Sequence, residues 1–200
     1  MIKGQSIIDK IRSVLFRQDH VCPWWLAYSF DNPLRRYLHD SLLILSPYVK
    51  PGMTVADIGC GMGYFSLAMA TLVGESGSVI SIDIQQEMLD RLKRRAEKKG
   101  VAGNIRTVLA AKDDIGIREQ VDFVLAFWMV HETGDIPRFL KQVRSVLRDQ
   151  GKMLIAEPRL HVSSRAFHET LQQAREAGFS IVDAPRVRIS RTALLQKREK

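Results

Sequence analysis

Apolar positions near the start of the chain repeat with a helical period. Between residues 6 and 17, Ile7, Ile8, Ile11, Val14 and Leu15 fall on one helical face, with Ser6 placed as the cap. Residues 20–33 are dense in aromatic side chains, follow no clean period and are punctuated by Pro23 and Pro33. A second helix is predicted over 34–45, capped by Asp31 or Asn32, with Pro33 at its first position and its end before Pro47. From residue 53 the pattern changes. MTVADIG, SVISID, NIRTVL, VDFVLAF and GKMLIAEP are short apolar runs that read as strands. YFSLAMATLVG, QQEMLDRLKRRAEKKG and residues 136–147 read as helices, the first stopped by Gly74 and the second by Gly100. A short turn over 113–119 replaces a crossover helix between the third and fourth strands. Unbroken apolar strands between amphipathic helices indicate a parallel sheet covered on both faces, with right-handed crossovers.

The last part of the chain departs from this rhythm. A helix is predicted over 163–177, with Ser163 or Ser164 as cap and Gly178 as stop. Two strands follow, over 179–185 and 187–197, and the gap between them is too short for a parallel crossover. The expected fold is therefore α/β: a Rossmann-like, doubly wound, seven-stranded sheet with its last strand antiparallel, in three α/β/α layers. Residues 1–47 form a short helical cap on the same domain, too small for a core of their own, and residues 48–200 form the domain proper.

Composition narrows the class. The 200 residues are 46% hydrophobic and 26% charged, which suits one globular domain. Two cysteines, Cys22 and Cys60, lie far apart, so neither a disulfide framework nor a cysteine-rich zinc site is available. His20, Cys22 and His39 match no closed metal-site spacing, and no metal is expected. No run reaches the roughly 18 apolar residues of a membrane span, and the first residues interleave charges where a signal peptide has its apolar region. A cytoplasmic location is the expectation. The net charge of +8 is concentrated in residues 91–99 and 186–200. Such runs can attract anions or nucleic acid, and they also suit a solvated helix face and a chain tail, which is the simpler reading.

The chemistry-bearing segment is Val55-Ala56-Asp57-Ile58-Gly59-Cys60-Gly61-Met62-Gly63, at the end of one strand and the start of a helix. A bare GxGxG is weak, but this strand–turn–helix context strengthens it, because glycines there permit a tight bend and a close approach of backbone to ligand. Asp57 sits two residues before the loop, which suits a cationic or amine-bearing ligand better than a pyrophosphate. Asp83, 20 residues after Gly63, ends the next strand, where an acid can accept the two hydroxyls of an adenosine ribose. Both a nicotinamide dinucleotide and S-adenosylmethionine carry that ribose.

On these residues the chain resembles the seven-stranded class I S-adenosylmethionine-dependent methyltransferases. VADIGCGMGYFS matches their first motif, SVISIDIQQEML the second, VDFVLAFWMVHET the fourth-strand motif and GKMLIAEP the fifth strand. The resemblance covers about residues 34–197 and is nearest to the small-molecule branch similar to ubiquinone and menaquinone biosynthesis methyltransferases. It implies S-adenosylmethionine as cofactor, with S-adenosylhomocysteine as product, and a cofactor site formed by Asp57, Gly59, Cys60, Gly61, Gly63, Asp83, Ile84, Ala111, Lys112 and Phe127. Backbone at Gly59, Cys60 and Gly61 would border the methionine part, Asp57 its amine, Asp83 the ribose, and Ile84 the adenine. Many relatives carry Gly-Asp-Ala where this chain has Ala110-Ala111-Lys112, so the acid is missing in that register unless Asp113 or Asp114 replaces it.

His131 and Glu132, after the fourth strand, are the catalytic candidates. A histidine titrates near neutrality and can serve as general base, although the same position can simply shape a pocket. His20, Trp24, Trp25, Tyr28, Trp128 and Glu157 are candidates for the acceptor site, the aromatic stretch folding over the strand ends as a lid or fixing the first helices as a latch. The chain lacks the Pro-Pro-Tyr or Pro-Cys signatures of DNA-base enzymes after the fourth strand, and the carboxylate cluster of metal-assisted catechol enzymes. The expected activity is methyl transfer to a small-molecule O, N, S or C acceptor, with nucleic acid disfavoured and monomer and homodimer both open. The alternatives are a cofactor-binding protein without methyl transfer, an RNA or protein methyltransferase, and a nicotinamide dehydrogenase, which Asp57 and the terminal hairpin disfavour.

Overall fold

The computed structural model describes residues 38–198. The expected helix over residues 6–17, the aromatic stretch and most of the expected cap fall outside them. Within them the chain runs α1 (Ser41–Leu45), β1 (Thr54–Ile58), α2 (Tyr64–Val73), β2 (Ser78–Asp83), α3 (Gln86–Lys99), β3 (Ile105–Leu109), β4 (Val121–Phe127), α4 (Ile136–Val146), β5 (Leu147–Pro158), α5 (Ser164–Glu176), β6 (Phe179–Asp183) and β7 (Ser190–Lys197). No helix among the described residues is long and apolar enough to cross a membrane.

The seven strands form one sheet in the order β3-β2-β1-β4-β5-β7-β6. β1 is parallel to both β2 and β4, while β7 is antiparallel to both β5 and β6. The connections reverse direction at β1, which steps outward to β2 on one side while β4 adjoins it on the other. A crevice opens at such a switch point, beyond the carboxyl ends of the strands.

Alternation along each strand divides the core between two faces. Phe123, Leu125 and Phe127 of β4 join Leu45, Phe65, Met69 and Val73 beneath α1 and α2. Val124 and Ala126 point the other way, into Phe139, Leu140, Val143 and Phe167 of α4 and α5. Leu89 and Leu92 of α3 pack with Cys60 and Leu67, extending the α2 face toward β2 and β3.

The helix ends follow sequence signals. Gly100 closes α3 in the left-handed conformation, Ser163 caps α5 by accepting from Ala166 N–H, and Asp135 caps α4 by accepting from Arg138 N–H. Two expectations shift. Of the helix expected over 34–45, residues 34–37 lie outside the described residues; His39 and Asp40 are not helical, and Asp40 caps α1 by accepting from the Leu42 and Leu43 N–H groups. His39 departs from the expected helix because its ring is buried against Phe127 and Trp128 and bonds the Arg188 carbonyl at 3.0 Å. β5 begins at Leu147 instead of Gly151: Leu147 is buried opposite Val121, and the register then shifts around Gln150, whose φ is 67°.

Candidate functional site

The carboxyl ends of β1, β2, β4 and β5 bring most of the sequence candidates to one rim. The glycine loop leaves β1 and turns back over β2: Gly59 and Cys60 N–H both donate to the Ile82 carbonyl, at 2.8 and 3.0 Å. Gly63 starts α2 at φ 81°, and a Cβ there would lie 2.6 Å from Leu92 Cγ. Only glycine meets both the left-handed backbone and the close packing. Gly59 is pressed from the other side, since a Cβ there would lie 2.8 Å from Cβ and Cγ of Met129, after β4. The loop is thus held between α3 and the β4 turn. Arg95 Nη1 also donates to the Met62 carbonyl at 2.9 Å.

Two buried carboxylates flank this loop. Asp57 lies within β1 and accepts from Ser66 Oγ of α2 at 2.6 Å. Asp83 ends β2, its Oδ2 accepting from Gly61 N–H at 2.8 Å and its Oδ1 from Gln85 N–H at 2.9 Å. Burial raises the Asp83 carboxyl above its ordinary range, and backbone hydrogen bonds from Gln85, Gly61 and Ile84 pull it part of the way back. Burial, and then the charges of Asp57 and Asp83, push the Cys60 thiol well up, so it stays protonated.

The site fits an adenosine-bearing ligand. A carboxylate has about four acceptor positions, more than the backbone donors at Asp83 occupy. A Cβ placed on Gly61 would meet no described residue within 4 Å, so among the described residues the loop is open on that side. Ile84, beside Asp83, is 43% exposed. Ala111 and Lys112 are exposed in the turn after β3, which is tied to β2 by Ala110 N–H donating to the Asp83 carbonyl. The substitute acids differ in their commitments, for Asp114 is paired with Arg118 and accepts from Gly116 N–H, while Asp113 is exposed.

Beyond β4, Phe127 is buried against Phe65 and Trp128. Trp128 adopts φ 59°, an unfavourable conformation for a bulky residue. Its backbone N–H donates to the Ala156 carbonyl at 2.7 Å and its Nε1 to Ser190 Oγ at 2.9 Å. The next turn carries His131 and Glu132, with His131 Nδ1 2.5 Å from Glu157 Oε2. Glu157 is 1% exposed and also accepts from Val130 N–H and His131 N–H. Glu132 Oε1 lies 4.0 Å from His131 Nε2, and the His161 ring stands 6.1 Å from the His131 ring, centre to centre.

Burial lowers the His131 pKa, but the hydrogen bond and charge of Glu157, with the charge of Glu132, outweigh it and the net shift is upward. A raised folded-state value gives stability that is complete below the unfolded value near 6.5 and is lost as pH rises through the folded value. Melting temperature is therefore expected to fall as pH rises above about 6.5, and His131→Gln should flatten that slope. A variant that keeps the full slope would show that His131 does not carry it.

The structure joins Asp57, Gly59, Cys60, Gly61, Gly63, Asp83 and Ile84 in one loop system, and His131, Glu132 and Glu157 in another beside it. His20, Trp24, Trp25 and Tyr28 lie outside the described residues. His39, Met129, Leu92, Ser66 and His161 also shape the rim, although no spacing rule singles them out. A cavity of about 250 Å³ between Asp113, Asp114, Arg118, Arg138 and Gln142 includes none of the loop residues.

Comparison with known proteins agrees with this fold. The profile of a family described as "Methyltransferase domain" matches residues 49–192. A 2-phytyl-1,4-naphtoquinone methyltransferase from Nostoc sp. is 31% identical over 125 residues, 62% of this chain and 54% of that protein. The ubiquinone/menaquinone biosynthesis C-methyltransferase UbiE of Haemophilus ducreyi is 31% identical over 110 residues, 54% of this chain and 42% of that protein. The chain thus spans about half the length of these curated relatives. The crystal structure of a SAM dependent methyltransferase from Aquifex aeolicus superposes with a TM-score of 0.78 at 24% identity, covering 87% of this chain and 99% of that one.

Proposed function

The chain belongs to this methyltransferase-domain family, and from that premise we propose that it is an S-adenosylmethionine-dependent methyltransferase acting on a small-molecule acceptor. The observation that carries the reading is Asp83, a buried carboxylate that ties the end of β2 to Gly61 across a loop that, among the described residues, has open space in front of it. When bound, the sulfonium cofactor supplies an electrophilic methyl group for in-line displacement, and the protein's part is alignment and exclusion of water. Asp83 takes the ribose hydroxyls and Ile84 packs on the adenine, with Ala111 and Lys112 at its edge. Backbone at Gly59, Cys60 and Gly61 borders the methionine portion. Asp57, steadied by Ser66, orients the amine, Gly63 fixes the turn, and Phe127 closes the floor. His131, with Glu132 beside it, is the candidate base, and Trp128 borders the acceptor. A free, buried Cys60 suits a reducing compartment such as the cytoplasm.

The test is calorimetric titration with S-adenosylhomocysteine, with NAD as parallel titrant, followed by methyl-transfer assays on phenols, hydroquinones, amines and thiols. Hydroquinones are included because the relatives are named for methyl transfer to a naphthoquinone and for ubiquinone and menaquinone biosynthesis. Saturable binding of the homocysteine compound and none of NAD is expected. Binding of NAD alone, or of neither, would overturn the reading.

A further inference from the structure

We propose that Glu157 is a positioning residue that fixes His131 with its Nε2 lone pair toward the strand-end crevice, and that the acceptor is a weakly acidic aromatic hydroxyl. The inference rests on the methyltransferase reading and adds to it the acceptor class. The Glu157 carboxylate ends β5 in a site that leaves its side chain 2% exposed. It accepts from two backbone donors of the turn after β4, at 3.0 and 3.3 Å, so that turn is pinned to the end of β5. Its third and shortest contact is with His131 Nδ1. A carboxylate in such a set accepts, so the hydrogen sits on Nδ1 and the neutral ring keeps its lone pair on Nε2.

Nδ1 is taken up by the buried carboxylate, while Nε2 lies on the opposite edge of a ring whose side chain is 25% exposed, 4.0 Å from Glu132 Oε1. The turn also stands against the cofactor loop. Met129, two residues before His131, packs where a side chain on Gly59 would have to go. Among the described residues, the charged or titratable groups around the imidazole are Glu157 on β5, Glu132 on its own turn and His161 on the loop after β5. Lys112, from the turn after β3, approaches Gly134 further along.

A base of fixed tautomer matters only to an acceptor that must lose a proton in order to attack. An amine can give up its extra proton to water and a thiol ionises at about 8.5, whereas an unactivated phenol or hydroquinone ionises only near the tyrosine value of about 10. A ring carbon of the same phenol would need the same deprotonation, and the O–CH3 product tells the two apart. In the balanced step the hydroxyl proton passes to His131 Nε2 and the oxygen lone pair forms the O–CH3 bond. The S–CH3 bond breaks with its electron pair retained by sulfur, so the sulfonium becomes a neutral thioether. The proton then leaves His131 for water.

The experiment combines nitrogen-15 NMR of the histidine rings in the full chain with initial rates of methyl transfer. The rate probes are unactivated phenols from 4-chlorophenol to 4-methoxyphenol, with benzylamine and 2-mercaptoethanol beside them. Wild-type His131 should show the Nδ1–H tautomer. In Glu157→Gln an amide N–H faces Nδ1, so the hydrogen should move to Nε2. The kcat for phenols should then fall by at least about a hundredfold, with KM changed less than about threefold. Because the neutral ring is the active form, activity should rise with pH through the His131 titration, and the variant's remaining base limb should follow its new NMR midpoint. His131→Gln leaves the backbone donors to Glu157 in place, and it should show the same kcat loss even if Glu157→Gln folds poorly.

An unchanged phenol kcat despite the altered tautomer would overturn the proposal. So would an Nε2–H tautomer in the wild type, or turnover confined to benzylamine or the thiol. No turnover of any probe by a wild type that binds S-adenosylhomocysteine would likewise count against this acceptor class alone. A wild type that binds no S-adenosylhomocysteine would instead overturn the parent reading, and this one with it.

Discussion

Replacing Asp83 with alanine is expected to weaken binding of S-adenosylhomocysteine by at least about a hundredfold, while the sheet stays folded. Hydrogen bonds to a charged acceptor contribute about 1.5–3 kcal/mol each. Two ribose hydroxyls on one carboxylate therefore account for about 3–6 kcal/mol, which is a hundredfold or more in affinity. The carboxylate does not serve the ligand-free fold in the same way. Burial raises its pKa, so the folded chain holds that proton more tightly than the unfolded chain does. Its contribution to stability is complete below the unfolded value near 3.9 and is lost as pH rises through the raised folded value. At neutral pH the ionised group is therefore a cost to the folded state. Asp83→Ala should lose binding in calorimetry while keeping one cooperative melting transition at pH 7. Intact binding in the alanine variant, or loss of its melting transition, would recast Asp83 as a strut of the glycine loop.

Gly63→Ala is expected to lower the melting temperature by about 4–20 °C, the largest stability loss from adding one methyl group to the loop. A left-handed backbone costs a non-glycine residue about 1–2 kcal/mol, and overpacking a core contact costs about 1–3 kcal/mol more. For a chain of this size each kcal/mol corresponds to about 2–4 °C. The contact cannot relax cheaply, because Leu92 is fully buried and the clash falls on its Cβ, Cγ and Cδ1. Gly61→Ala is the informative control. Its φ of 53° carries the backbone cost, but its Cβ meets no described residue. Its melting loss should therefore be smaller, and its effect should appear in ligand binding. Equal melting losses in the two variants would argue against the Leu92 contact.

Local chemistry made much of this legible. Gly74, Gly100 and Ser163 punctuate the chain through their own backbone or side-chain preferences, and the glycine loop announces itself between a strand and a helix. Asp57 and Asp83 were identifiable because their distances from the loop are short and fixed by one βαβ unit. What escaped was long-range. Nothing near residue 39 foretells that its ring will bond the carbonyl of Arg188, 149 residues away. The contact between His131 and Glu157 spans 26 residues and depends on β5 lying beside β4. From sequence Glu157 read as an acid open to substrate, whereas the structure buries it and engages both oxygens. Trp128, read as an acceptor-site aromatic, is also a junction, held by β5 through its backbone and by Ser190 through its indole. An antiparallel final strand followed from the short gap after β6, but its position inside the sheet did not.

That position has a consequence for how the chain is assembled. β7 is synthesised after β6 yet is seated between β5 and β6, with a partner on each side. While a ribosome is still delivering residues 190–197, β5 presents an unpaired edge and β6 has no neighbour to bond. The sheet on the β5 side thus cannot close progressively as the chain emerges, but only when its interior strand arrives. Until then the β5 backbone is a template for any other extended segment in reach. Nascent chains halted before Ser190 should consequently seek chaperones or one another, even though everything needed for the glycine loop has already been made.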